Sequence, residues 1–334
     1  MKAAVYQGVK DVQVVDLPDP EPGPNDVIIK VIRAGLCGTD LAEYHGSGQG
    51  AIQPGCEFGH EFAGKVVHVG SDVHGISEGL RVTVNPMTAT EAGIMQACMV
   101  GGFSEYMKVE DAAIGYNIFP LPDELTFDDG SLVEPFSVGM HGVNTSEVQT
   151  TDRALILGAG PVGMGALAGM KALGVENVVV SDISDFRLQK AKQLGADAVH
   201  NPKQISLEDF LKEWYGERSS GWGLVDVVVD AAGARTALEC ALDVTRYGAR
   251  VSVVALHKTS ILFNPLFFIT KELKFRGSIG YDKEFEQVIG FMASGKADLK
   301  PTITHRFPLA EIDTALNTAV KQDEALKILI EMPE

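Results

Sequence analysis

Positive charge is what this sequence is short of. Its 28 Lys and Arg stand against 45 Asp and Glu, a net charge of −17. A phosphate backbone would repel so acidic a chain, so no nucleic-acid partner is expected. Cysteine is scarce as well. Cys37, Cys56, Cys98 and Cys240 are too few and too scattered for a disulfide framework, and each reads as a separate thiol in a reducing compartment. No apolar run approaches the roughly 20 residues that span a bilayer, and no basic-then-apolar N-terminal segment marks a secretion signal. A cytoplasmic protein with no membrane partner is expected. Internal repeats and low-complexity segments are also lacking. What remains is 45% apolar and 22% charged, the make-up of a globular protein. At 334 residues the chain is too long for one ordinary core and calls for two domains.

One stretch organises the rest. Arg153–Gly163 reads RALILGAGPVG: a short apolar strand, then Gly158, Ala159, Gly160, Pro161, Val162 and Gly163, then the Ala-, Gly- and Met-rich helical run Met164–Leu173. In this strand–turn–helix setting a G-x-G-x-x-G pattern has a physical meaning. Gly158 permits the tight turn, Gly160 lets the backbone approach a pyrophosphate, and Gly163 lets helix and strand pack closely. The helix N-terminus presents free N–H groups and partial positive charge to the phosphates. A second apolar strand, Asn177–Ser181, ends at Asp182, about 20 residues on, where a carboxylate can take the ribose hydroxyls and would repel a 2′-phosphate. NAD rather than NADP is therefore the expected cofactor. The plainer alternative is that Asp182 caps the following helix.

The first 120 residues read as an all-β region rich in turns, with strand-like runs at Met1–Tyr6, Val12–Asp16, Asp26–Ala34, Glu61–Gly70 and Arg81–Asn85. From about Leu132 strand and helix alternate, the mark of a parallel sheet. Its further strands are expected at Val225–Asp230, Arg250–Leu256 and Leu273–Ser278. The ends of the last two place Val254, Ala255, Leu256, Ser278, Ile279 and Gly280 at the carboxyl edge, where such sheets bind ligands. After Tyr281 come two helix-like segments and one strand, Ala325–Met332, too little for a separate core, so this tail is expected to return to the N-terminal domain. Ile261–Ile269 (ILFNPLFFI) is too apolar for an exposed loop and reads as a subunit contact.

Three places in the β-rich part offer metal ligands: Cys37 with Thr39 and Asp40, His60 with Glu61, and Glu134. A thiolate, an imidazole and one or two carboxylates suit zinc with an open or expandable coordination position. Taken singly, Cys37 could be a small buried hydrophobe, His60 a turn residue and Glu134 a helix-terminal charge. His60 and Glu61 could share an ion only where the backbone is irregular, since neighbours on a regular strand face opposite ways. His68, His74, His141, His200, His257 and His305 show no partner pattern and read as structural or surface residues. Cys240 reads as core.

The motifs GLCGTDLAEYHG, GHEFAG, EPFSVGMHGV and GAGPVG occur in this order, and together they resemble the zinc-dependent medium-chain alcohol dehydrogenase family over essentially the whole chain. The Glu of EPFSV is similar to the polyol, butanediol and threonine dehydrogenase branches. The resemblance implies an α/β protein with a GroES-like β-rich catalytic domain (1–135 and 280–334) and a Rossmann doubly wound parallel-sheet domain (136–279). It places zinc and NAD in the cleft between them and implies reversible oxidation of a secondary alcohol to a ketone. Zinc ligands carried over are Cys37, His60 and either Glu61 or Glu134. Thr39 would begin a proton relay, and Arg187 resembles the arginine that packs on adenine. Where relatives often have a second histidine this chain has Ala42, which leaves the outer relay open. His45 lies nearby. Val84–Phe103, the place of a four-cysteine structural zinc lobe in many relatives, holds only Cys98, so one zinc per subunit is expected. A small alcohol or ketone, such as a diol or polyol, is the expected substrate, with a homodimer or homotetramer as the assembly. The alternatives are a sugar-acid or sugar-phosphate dehydrogenase and a non-catalytic NAD-binding relative.

Overall fold

The computed structural model of the chain describes residues 1–90, 101–216 and 223–333. In chain order the first part gives β1 (Lys2–Gly8), β2 (Asp11–Asp16), β3 (Val27–Gly35), α1 (Gly38–Tyr44), β4 (Cys56–Glu57), β5 (Glu61–Val69), β6 (Arg81–Val84), β7 (Tyr106–Val109), β8 (Ile118–Pro120) and α2 (Phe127–Thr145). The centre alternates: β9 (Arg153–Leu157), α3 (Pro161–Ala172), β10 (Asn177–Ser181), α4 (Asp185–Gln193), β11 (Ala198–His200), α5 (Leu207–Tyr215), β12 (Val225–Asp230), α6 (Arg235–Asp243), β13 (Thr245–Val253), α7 (Pro265–Lys271), β14 (Lys274–Gly277) and α8 (Glu284–Ala293). The tail adds β15 (Ile303–Pro308), α9 (Ile312–Ala319) and β16 (Lys327–Glu331).

Two compact units result, residues 1–134 with the tail from Ile303, and residues 135–302. In the first, a sheet runs β15-β16-β3-β5-β6-β8, with β7 also on β3, and β2-β1-β4 form a smaller sheet. Strand β3, VIIKVIRAG, is nearly all apolar because it is covered on both faces. Its neighbours Phe62, Val66, Val82, Phe103, Leu316, Ile328 and Ile330 make the core.

In the second unit six parallel strands run β11-β10-β9-β12-β13-β14, the doubly wound order in which the chain reverses direction between β9 and β12. Every residue of β12 is buried, as is all of β9 after Arg153, which is what helices on both faces require of parallel strands. Leu155 sits between Val179 and Val228 in register. The α/β class is borne out.

Four expectations are corrected. The tail rejoins the first unit at Ile303, later than residue 280, because α8 buries Phe285, Val288, Ile289 and Met292 within the second unit, with α3 among its neighbours. Ile303–Pro308 is a strand paired parallel to β16; it lies at the sheet edge, half-exposed, and so carries no clear apolar alternation. Cys240 is exposed on α6 rather than in the core, and Cys56 is disulfide-bonded rather than a thiol. Cys98 lies outside the described residues. Among those described, no helix is long and apolar enough to cross a membrane.

Candidate functional site

The first unit gathers the metal-ligand candidates at the ends of two adjacent strands. Cys37 follows β3 and caps α1, its N–H donating to Asp40 Oδ2 at 2.8 Å. His60 precedes β5, and Glu61 is that strand's first residue. Gly59 has φ +94°, and a Cβ there would come within 2.5 Å of the Phe103 ring, so both backbone sign and packing demand glycine. This break in the strand is what lets two adjacent side chains turn toward one point. One ligand atom from each of Cys37, His60 and Glu61 lies within 4.8 Å of the others. His60 and Glu61 are buried and Cys37 is partly open.

The charges around this group are unequal. Burial acts to push the His60 imidazole down, but the Cys37 sulfur that hydrogen bonds it, and the Asp40 and Glu134 carboxylates, outweigh this and hold it well above the usual histidine value. Asp40, fully buried, is raised to about 6, chiefly by burial. Its Oδ1 stands 3.9 Å from His60 Nδ1, and neither atom has a hydrogen-bond partner among the described residues. Buried acidic donors converging on one imidazole are a setting that a divalent cation would neutralise, and the donor set of sulfur, nitrogen and carboxylate oxygen fits zinc. Glu61 has a further partner: its Oε2 pairs with Lys327 Nζ, which also donates to the Leu36 carbonyl at 2.9 Å. Glu134, buried on α2, lies outside the tight group and acts on His60 through its charge.

Thr39 is next to this cluster, its Oγ1 3.8 Å from Cys37 Sγ. His45 is not. Its Nε2 lies 3.4 Å from the Leu316 carbonyl on α9, and its ring meets Tyr44 edge-on.

In the second unit β9 runs into Gly158 (φ +89°), then Gly160 as N-cap and Pro161 as the first residue of α3. A Cβ at Gly163 would strike the Gly158 carbonyl, so the close helix–strand contact needs glycine. Val162 follows Pro161 in the first turn, where N–H groups are free of helical partners. Asp182 Oδ2 accepts from Ala159 N–H at 2.7 Å, and Oδ1 from Ser184 N–H at 2.8 Å. The carboxylate is thereby clamped against the glycine turn, and capping of α4 falls to Ser184, whose Oγ accepts from Arg187 N–H. Arg187 is half-buried on α4. At the carboxyl edge the N–H groups of Val254 and Ala255 donate to the Asp230 carbonyl, and Ser278 N–H donates to the Val253 carbonyl. Leu256 and Ile279 are exposed there, and Gly280 has φ 59°.

Four residues escaped the sequence reading. Lys327 opens the strand KILIE as a charge that is buried, unlike Glu331 at its other end, and a lysine next to so apolar a run was a signal that could have been used. Asp40 stands with Cys37 among the candidate metal ligands, but its place 3.9 Å from His60 Nδ1 was not foreseen. Asp230 ends the apolar run VDVVVD and binds His257. Similarly His141, read as unpartnered, lies 2.9 Å from Glu284.

Comparison with known proteins finds likeness over nearly the whole chain. Residues 23–123 match the alcohol dehydrogenase GroES-like domain and residues 161–294 the zinc-binding dehydrogenase domain. Sorbitol dehydrogenase of Bacillus subtilis is 31% identical, with 99% of this chain and 97% of that protein aligned. The (R,R)-butanediol dehydrogenase of the same organism is 31% identical over 99% of both chains. The crystal structure of 2R,3R-butanediol dehydrogenase from Bacillus subtilis superposes with a TM-score of 0.89 at 29% identity, covering 100% of this chain and 99% of that one.

Proposed function

Because the chain belongs to the zinc-dependent medium-chain alcohol dehydrogenase family, we propose that it interconverts a vicinal diol or polyol and the corresponding ketone with NAD. The observation that carries this reading is the Cys37–His60–Glu61 group, partly open at Cys37 and buried at the other two, with Asp40 behind His60 and Lys327 behind Glu61. A single zinc ion bound there would supply Lewis acidity to a hydroxyl oxygen, and a nicotinamide cofactor would supply the hydride acceptor. Cys37, His60 and Glu61 hold the metal, and Glu134 remains within electrostatic reach to take over or support the glutamate position. Lys327 keeps the Glu61 carboxylate oriented and balances its charge.

Thr39 Oγ1 receives the substrate's hydroxyl proton. With Ala42 on α1 and His45 turned to Leu316, the proton leaves Thr39 without an imidazole on that helix. In the other unit the N–H groups at the start of α3 bind pyrophosphate and Asp182 orients the adenosine ribose, which favours NAD over NADP. Arg187 packs beside the adenine, and the backbone at 254–256 and 278–280 lines the nicotinamide side.

The second unit also offers a surface for a second copy of the chain. None of α7 is buried, Leu262, Leu266 and Ile269 are 83%, 60% and 71% exposed, and β14 is the outer strand of its sheet. A homodimer covers an edge and an apolar strip that a monomer would leave to water.

The test is metal analysis of the purified protein together with a screen of diols, hexitols and simple secondary alcohols with NAD. One zinc per chain is expected, with turnover fastest on a diol or polyol. Cys37→Ala should lose zinc and turnover while still binding NADH. A fully active Cys37→Ala protein would refute the assignment, and preference for an anionic sugar substrate would move it to the sugar-acid or sugar-phosphate class.

A further inference from the structure

At the carboxyl edge of the parallel sheet lies a buried acid–imidazole pair. Asp230, the last residue of β12, is 0% exposed. Its Oδ1 accepts from the N–H groups of Ala232 (3.0 Å) and Gly233 (3.2 Å), and its Oδ2 stands 2.6 Å from His257 Nε2. His257, just beyond β13, keeps only 14% of its side chain exposed. Its Nδ1 is buried with no hydrogen-bond partner among the described residues, so the bond to Asp230 is what holds the ring. The Asp230 carbonyl meanwhile accepts from the N–H groups of Val254 (2.9 Å) and Ala255 (3.0 Å). One residue thus ties together the turn after β12, the end of β13 and the imidazole at 257.

This corner is fitted closely to the glycine turn. A Cβ at Gly158 would lie 3.0 Å from the backbone of Ala231 and Ala232, and one at Gly233 would lie 3.2 Å from the Leu256 carbonyl oxygen and 3.3 Å from Ala255 Cβ. Loss of the His257 ring would loosen the wall formed by Ala255 and Leu256, while Asp230 Oδ1 keeps the Ala232 and Gly233 N–H bonds that hold the turn against the phosphate loop. In a doubly wound sheet the two nucleotide halves lie on either side of the strand-order reversal. Asp182, at the end of β10, serves the adenosine side; Asp230 and His257, at the ends of β12 and β13, fall on the other. An acidic residue at an edge that receives a pyrophosphate would ordinarily oppose it. Here both carboxylate oxygens are engaged by donors, which turns the charge inward.

We infer that Asp230 and His257 are positioning residues for the nicotinamide half of a bound dinucleotide, holding the 231–233 turn and the 254–257 wall in place. The inference rests on the NAD-binding reading above. It is tested by titrating the zinc-loaded full-length protein with NADH and with ADP-ribose, which lacks the nicotinamide. The wild-type protein should bind both. His257→Ala should weaken NADH about tenfold while leaving ADP-ribose within about twofold. His257→Gln, whose amide can still donate to Asp230 Oδ2, should stay within about threefold of wild type for NADH. Asp230→Asn provides a second route to the same split should the alanine variant fail to fold. Equal NADH binding by wild type and both folded variants, or parallel losses for NADH and ADP-ribose, would overturn the inference. A wild-type protein that binds neither ligand would overturn the dinucleotide reading itself, a distinguishable result.

Discussion

Lys327 and Glu61 form an ion pair inside the first unit, with 1% and 2% of their side chains exposed. Strand β3 separates their two strands and contributes Gly35 at the crossing, where a Cβ would run into the Glu61 carboxylate and the end of Lys327. Removing one member of a buried pair strands the other charge, at a cost of about 3–5 kcal/mol. Lys327→Met should destabilise the metal-free protein by that amount in thermal or urea unfolding. Adding Glu61→Gln should recover most of the loss, since the buried charge is then gone. A Lys327→Met protein as stable as wild type would show that the pair has no structural weight.

Asp40 is expected to act on the proposed metal group through His60. Its Oδ2 is fixed by the Cys37 N–H, and its Oδ1 faces His60 Nδ1 at 3.9 Å. Asp40→Asn preserves an acceptor for Cys37 and withdraws the charge. Zinc affinity, measured by chelator competition, should fall about 10–100-fold, the usual effect of losing a carboxylate behind a ligating histidine. Unchanged affinity would remove Asp40 from the site.

Asp182 is expected to set the choice between the two dinucleotides. Clamped by Ala159 and Ser184 N–H groups, its carboxylate cannot swing away from a 2′-phosphate without breaking both bonds. Wild type should therefore bind NADH at least about tenfold more tightly than NADPH. Asp182→Ser should weaken NADH and narrow that gap. Fluorescence titration with both reduced cofactors decides the matter, and equal wild-type affinities would count against the assignment.

His200 gives a pH dependence of stability unrelated to the metal group. Its Nε2 donates to the Ile205 carbonyl at 2.9 Å, and its Nδ1 receives the Ser181 hydroxyl at 2.8 Å, an arrangement that the neutral ring satisfies. Burial lowers its pKa below the ordinary 6.5, the bond to Ile205 opposing. The unfolded chain then binds a proton that the folded chain refuses. Stability should be unaffected by this residue above about pH 6.5, fall as the pH drops below that value, and level off beneath the folded pKa. Urea midpoints of wild type and His200→Asn between about pH 7.5 and 5 should show the steeper acid loss in wild type. Parallel curves would exclude the effect.

What the sequence could determine by itself was whatever neighbouring residues enforce on one another. The GAGPVG turn is such a case. A positive φ at Gly158, close packing at Gly163 and a proline opening α3 are requirements met within a few residues of chain, so they are written where they act. The same holds for Cys37 just after β3, for the Gly59 break before His60 and Glu61, and for the apolar runs within the central strands of the parallel sheet. What only the tertiary structure decided were the partners of buried charge. Lys327 meets Glu61 across 266 residues of sequence, Asp230 meets His257, and α8 stays with the second unit. Sheet register and helix docking create these contacts, and a buried charge is stable only where such packing delivers its counterpart; a single residue in an apolar strand carries no record of which one that will be.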